Sequence, residues 1–187
     1  PLSLRRQRQM CIRDSPEYLE QGRLLGEALA RRGATLVYGG SKVGVMGAVA
    51  AGASASGGSS LGVLTTQLAN YELKFDGLDR LELVGSMAER KAMMSQQGDA
   101  IVALPGGTGT LDELFQEWTS QQLGLHSKPI GLLGSEFWQP LLDMVDHMVR
   151  NGFVRQTDRD HLVVANDPDE LLDRLERWVP PVPRWTD

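Results

Sequence analysis

Cysteine is almost missing from this sequence. Cys11 is the only one in 187 residues, so an internal disulfide is excluded and a reducing, cytoplasmic setting is expected. Histidine is scarce as well: His126, His147 and His161 are scattered and offer neither a zinc cluster nor an HExxH helix. No apolar run approaches the roughly 20 residues of a membrane span. Positive charge is in deficit, with 19 Lys and Arg against 24 Asp and Glu and a net charge of -5. That balance argues against a nucleic-acid or membrane-surface partner, since both require a basic face. What is present is ordinary globular material, 41% of it from the AVILMFWYC set. A chain of this length buries about 70% of its unfolded surface, enough for one full core.

The first fifteen residues, PLSLRRQRQMCIRDS, carry four Arg against one Asp and no sustained helix or strand period. They lack the apolar stretch of a signal peptide, and RQMCIRDS reads as a translated adapter scar. Residues 1–15 are therefore expected to be non-native or disordered and are set aside from the fold. Residues 16–178 are expected to form the domain and 179–187 a Pro- and Trp-containing tail. Asp14 or Ser15 is placed to cap a helix that opens on Pro16.

From Pro16 the apolar positions Tyr18, Leu19, Leu24, Leu25, Ala28 and Leu29 recur at helical spacing, and Gly33 ends the pattern. Strand and helix then alternate. Strands are expected at 34–38, 61–64, 81–84, 100–104, 129–133 and 162–164, and helices at 45–55, 86–97, 110–123, 137–151 and 168–178. Runs such as Ile101-Val-Ala-Leu104 and Ile130-Gly-Leu-Leu133 are apolar throughout, as strands covered by helices on both faces are. The pattern predicts a single-domain α/β protein built on a doubly wound parallel sheet flanked by helices.

The segment Pro105-Gly-Gly-Thr-Gly-Thr-Leu-Asp-Glu113 lies between a buried strand and a helix. Its glycines allow positive φ and close approach of backbone to ligand, and a helix start attracts anions, so the segment reads as a phosphate seat. The spacing fits neither GxxxxGK[ST] nor GxGxxG, which disfavours a nucleoside triphosphate or a dinucleotide. Thr110 and Glu113 also spell a T-x-x-E capping box, which leaves Glu113 open between helix capping and chemistry. A second glycine turn, Tyr38-Gly-Gly-Ser-Lys-Val-Gly-Val-Met-Gly47, follows a strand and opens a helix in the same way. Taken singly each turn suits mere chain reversal; together they point to one crevice at the strand C-termini. The third element is Met87-Ala-Glu-Arg-Lys91, where Ser86 and Glu89 form a capping box and Arg90 and Lys91 stand one turn inside a helix. A solvated basic pair is the plain alternative.

GGSKVGVMG, MAERK, and PGGTGTLDE followed by EWTSQQLGLHSKP resemble the LONELY GUY (LOG) family of cytokinin-activating phosphoribohydrolases, formerly labelled lysine decarboxylases. The resemblance covers about residues 16–175. It implies a Rossmann-like fold, a homodimer, no metal or redox cofactor, and hydrolysis of the N-glycosidic bond of an adenine-type nucleoside 5'-monophosphate. It implies Arg90 and Glu113 as the catalytic pair, and Gly106, Gly107, Thr108, Gly109 and Thr110 as the phosphate loop. Lys91, Glu72 and Thr119 match further ligand-contacting positions, while Gly39 and Gly40 belong to the second glycine turn facing the crevice. The chemistry agrees, because a carboxylate stabilises an oxocarbenium-like sugar or activates water, and an arginine offsets charge on the leaving purine. Two departures stand out: Ala88 replaces the family's His, and RQMCIRDS has no counterpart of the first strand and its Gly-Ser-Ser turn.

Trp118 and His126 are expected in the core or at a dimer contact rather than in the site. Met87, Met93, Met94 and Trp118 together suggest an apolar wall for pairing of two copies. A non-catalytic nucleotide or cofactor carrier is the competing reading. A pyridoxal-phosphate decarboxylase is a third, with nothing behind it beyond the presence of Lys42, Lys74, Lys91 and Lys128.

Overall fold

A computed structural model describes residues 15–69 and 75–181. In chain order the elements are α1 (Pro16–Arg31), β1 (Leu36–Tyr38), α2 (Gly44–Ala55), β2 (Ser60–Thr65), α3 (Thr66–Ala69), β3 (Arg80–Val84) and α4 (Met87–Gln97). There follow β4 (Ile101–Ala103), α5 (Thr108–Gln122), β5 (Ile130–Leu133), α6 (Ser135–Arg150), α7 (Gln156–Asp160), β6 (Leu162–Ala165) and α8 (Pro168–Glu176). The expected alternation is present, with two short helices, α3 and α7, whose four and five residues are too few to show a period. Residues 1–14 of the expected 1–15 segment and residues 182–187 of the expected 179–187 tail lie outside the described residues.

All strand pairs are parallel. They form two three-stranded sheets, ordered β1-β2-β3 and β4-β5-β6. Between the inner strands β1 and β4 runs a cavity of about 1720 Å³, lined along both strands from Thr35 and Ala100 to Gly39 and Pro105. The halves share their helix layers. Leu25 and Ala28 of α1 pack with α8 on Leu133, Val163 and Ala165. On the opposite face Leu114 and Trp118 of α5 and Trp138, Leu142 and Val145 of α6 cover Ala103, Ile130 and Leu132. Tyr38 and Leu36 meet α2 through Val45, Val49 and Ala50, and α4 covers β2 through Met93 and Met94. Helices thus lie on both faces, and the strand C-termini gather at one end, where the two glycine turns emerge.

Local signals account for most element ends. Pro16 and Pro168 stand in the first turn of α1 and α8, and Asp167 accepts the Glu170 N–H at 2.9 Å as a cap. Ser15 stands at the N-cap of α1 without a side-chain bond. Gly33 takes φ +65° just beyond α1. Trp118 is 4% exposed and wholly committed to the core, so it is not available to a dimer wall. Trp178 turns back onto the domain and donates from Nε1 to the His161 carbonyl at 3.0 Å.

Candidate active site

Arg90 reaches the site from α4. Ser86 caps that helix by accepting the Glu89 N–H at 3.2 Å, and Glu89 returns a carboxylate oxygen to the Gly85 N–H at 2.8 Å, so Glu89 is a capping residue. One turn in, Arg90 is only 7% exposed. Its Nε donates to the Val63 carbonyl at 2.9 Å, at the C-terminal end of β2, and Nη1 donates to Glu113 Oε1 at 3.0 Å. A buried guanidinium left without such partners would be strongly destabilising. Gly39 completes the seat: a Cβ there would lie 2.0 Å from Arg90 Nη2. Gly40 beside it has φ +70°, the left-handed turn that lets the chain leave β1.

Glu113 comes from α5, and here two expectations are corrected. Helix α5 begins at Thr108 with Gly107 as N-cap and no side-chain cap bond, so Thr110 is an early helical residue and no T-x-x-E box forms. Glu113 is thereby released from capping, and its carboxylate pairs with Arg90, its side chain 36% exposed. The loop glycines Gly106, Gly107 and Gly109 also lack positive φ; Gly107, at φ -93° and ψ -156°, is extended. Only Gly106 is required by the space around it. A Cβ on Gly106 would stand 2.2 Å from Thr110 Oγ1, whereas at Gly107 and Gly109 it would meet nothing within 4 Å. The N-terminus of α5 is therefore open over Gly107 and Gly109 and has no side-chain cap, which leaves its first N–H groups to whatever occupies the rim.

Glu113, Gly106, Gly107, Thr110, Gly39 and Lys91 line the large cavity at its C-terminal mouth, with Arg90 packed behind Glu113 and Gly39. Lys91 Nζ donates to Asp112 Oδ2 at 2.9 Å. The geometry thus brings together Arg90, Glu113, Lys91, both glycine turns and the α5 N-terminus. Thr119 lies elsewhere, on a shallow depression of about 580 Å³ shared with Thr108, Leu111, Asp112 and Phe115. Glu72 lies outside the described residues. Ala88 is exposed on the first turn of α4.

Sequence reasoning passed over two features. Tyr38, just before Gly39, is buried with its hydroxyl unpartnered among the described residues, and burial pushes the phenol pKa upward. Glu117, one turn after Glu113, is 8% exposed and accepts the Ser95 hydroxyl at 2.8 Å. Its i+4 spacing from Glu113 was the available signal. Among the described residues no group of three or more His, Cys, Asp or Glu is gathered to hold a metal ion.

Residues 46–175 match the family described as "possible lysine decarboxylase". The chain is 41% identical over 157 residues, 83% of its own length, to "Probable cytokinin riboside 5'-monophosphate phosphoribohydrolase LOGL2" of Oryza sativa subsp. japonica, and spans 64% of that relative. It is 43% identical over 145 residues to the cytokinin riboside 5'-monophosphate phosphoribohydrolase of Rhodococcoides fascians, covering 76% of this chain and 73% of that one. In fold it is similar to a molybdenum cofactor binding protein from Rippkaea orientalis, with a TM-score of 0.68 at 22% identity over 88% of this chain and 89% of that one. Identity above 40% across most of the chain, together with the family match, places the motifs in one lineage: the chain belongs to the LONELY GUY family, matched here as possible lysine decarboxylase.

Proposed function

We propose that the protein hydrolyses the N-glycosidic bond of adenine-type nucleoside 5'-monophosphates, releasing free base and ribose 5-phosphate. The observation that carries this reading is the Arg90–Glu113 pair, held at 3.0 Å at the rim of a large cavity beside the uncapped N-terminus of α5. The name of the Rhodococcoides relative supports it.

In this reading the 5'-phosphate seats on the first N–H groups of α5 over Gly107 and Gly109, where backbone donors and the helix dipole meet an anion without a Cβ in the way. That contact fixes the ribose relative to Glu113. Water adds to C1' as the C1'–N9 bond breaks, its proton is accepted by Glu113, the departing purine is protonated at nitrogen from solvent, and Glu113 gives its proton back to solvent before the next turnover. The Glu113 carboxylate also faces the positive charge that develops on the sugar. Arg90, fixed by Val63, holds one oxygen of Glu113 and leaves the other toward the cavity. Two copies are proposed to associate, supported by exposed Leu83, Met87, Leu123 and Leu125 on β3, α4 and the end of α5. A reducing cytoplasm is the proposed setting, supported by the single cysteine; among the described residues no helix is long and apolar enough to cross a membrane.

Pyridoxal phosphate, which a decarboxylase would use, does not fit the lysines described. Lys91 Nζ is paired with Asp112, Lys128 Nζ is bonded to the Ser95 carbonyl, and Lys42 is exposed on the turn before α2.

The test is product analysis with AMP and N6-isopentenyl-AMP in ¹⁸O-labelled water. Free base with the label in ribose 5-phosphate is expected, and the ratio of the two rates assigns the base. Tight binding of either nucleotide with no release would instead mark a carrier.

A further inference from the structure

Three polar rungs join α4 to α5. Arg90–Glu113 is the first. The second, Lys91–Asp112, is 2.9 Å long but Asp112 is 60% exposed, which makes it weak. The third, Ser95 Oγ donating to Glu117 Oε2 at 2.8 Å, is enclosed, with the Glu117 side chain 10% exposed. His126 on the α5–β5 loop brings Nε2 within 3.2 Å of the same oxygen, off the line of a hydrogen bond. Its other nitrogen, Nδ1, accepts the Lys128 N–H at 3.3 Å, which leaves Nε2 to carry the ring N–H that faces Glu117. Lys128 Nζ bonds the Ser95 carbonyl, and the buried Gln121 donates to the Lys128 carbonyl at 2.6 Å. Ser95, Glu117, His126, Lys128 and Gln121 thus close one circuit through α4, α5 and the loop that follows.

We propose that Glu117 is a positioning residue: through Ser95 and His126 it sets the separation and angle of α4 and α5 at which Arg90 meets Glu113. This rests on the reading of Arg90 and Glu113 as the reacting pair. Two helices pinned at a single point pivot about it. Ser95 is five residues beyond Arg90 and Glu117 four beyond Glu113. At 1.5 Å per residue, the second pin sits about 6–8 Å along each axis from the first. That lever arm removes the pivot. A carboxylate is an expensive choice for a position only 8% exposed in the wall of the cavity, alongside Leu114, where an apolar side chain would pack at less cost. Ser95 donates to Oε2, and His126 Nε2 stands 3.2 Å from the same oxygen without bonding it, so the hydrogen bond that joins the two helices requires an acceptor at that position.

The test compares wild type with Glu117→Leu, Glu117→Gln and Ser95→Ala, measuring kcat, KM, and the stoichiometry of AMP binding. Glu117→Leu is expected to lower kcat by about 10- to 100-fold, as a displacement of order 1 Å between reacting groups does, with KM and stoichiometry little changed. Glu117→Gln, whose amide oxygen still accepts from Ser95, is expected to restore the rate. A Leu variant with wild-type kcat, or Gln and Leu variants equally impaired, would overturn the proposal. Should Glu117→Leu fail to fold, Ser95→Ala decides: a lowered kcat supports the clamp and an unchanged one overturns it. Should wild type release no base, the hydrolase reading fails by itself. The clamp is then judged by crystal structures of wild type and Ser95→Ala, where an Arg90–Glu113 separation that opens past hydrogen-bond reach supports it and an unchanged one overturns it.

Discussion

Gly39 and Arg90 share a space that admits no side chain at position 39. A Cβ added to Gly39 would stand 2.0 Å from Arg90 Nη2, and 3.2 Å from both Cζ of the same guanidinium and Met46 Sδ. The guanidinium cannot yield easily, because its Nε is bonded to Val63 and its Nη1 to Glu113. Gly39→Ala is therefore expected to push Arg90 away from Glu113 and lower kcat by about 100-fold. Steady-state kinetics beside a melting curve check this; wild-type kcat in a folded Gly39→Ala protein would show that the contact is irrelevant to turnover.

Tyr38 offers a prediction about stability. Its hydroxyl is enclosed and finds no partner among the described residues. Removing a buried group that makes no bond returns its desolvation cost, so Tyr38→Phe is expected to stabilise the fold by about 1 kcal/mol. Urea unfolding measures the difference, and a clear destabilisation would reveal a bond to this hydroxyl in the folded protein.

Asp169 on α8 ties that helix to the end of α1. It meets Arg31 at 2.7 Å and Arg32 at 3.3 Å, and Arg32 also reaches Asp173 and Glu176. Burial alone would raise the Asp169 pKa, but the hydrogen bonds from Arg32 and Arg31 outweigh it and hold the carboxyl below its ordinary value. A depressed carboxylate pKa contributes stability at pH above the unfolded value, and the contribution is lost as pH falls through the folded one. Asp169→Asn is thus expected to destabilise the protein at pH 7 by less than about 1 kcal/mol, as befits an exposed pair, and to cost less at an acid pH below the ordinary carboxylate range. Chemical denaturation at both pH values tests the sign; an equal loss at both would assign the effect to packing.

The architecture was largely legible in the sequence. Runs such as Ile130–Leu133 are apolar because helices cover both faces, and of the period-3.6 patterns the first ends where Gly33 punctuates it and the last begins at Asp167. The interval between β1 and β4 was not, because strand order and edge pairing depend on contacts far apart in the chain. In the site, the glycine turns could be read from type and spacing, whereas the pairing of Arg90 with Glu113 was implied only by the family resemblance, because two residues 23 apart in sequence meet only once α4 and α5 pack side by side. The start of α5 could not, since Thr110 and Glu113 fit a capping box as a string of letters while the helix starts at Thr108. Glu117 was hidden for a similar reason. Its i+4 spacing from Glu113 places it on the same helix face, but a single helix's pattern does not say that an acidic residue there meets a serine on a neighbouring helix.

The central claim is that the Glu113 carboxylate performs the chemistry while the α5 N-terminus holds the phosphate. The most direct measurement is base release from AMP by wild type and Glu113→Gln, with AMP affinity measured on both by calorimetry. Glutamine keeps the shape and an oxygen for Arg90 but can neither accept the proton of water nor oppose a cationic sugar as a carboxylate does. The expected result is a fall in kcat of about 1,000-fold or more with AMP affinity changed by less than about threefold. Turnover by Glu113→Gln at the wild-type rate would contradict the account.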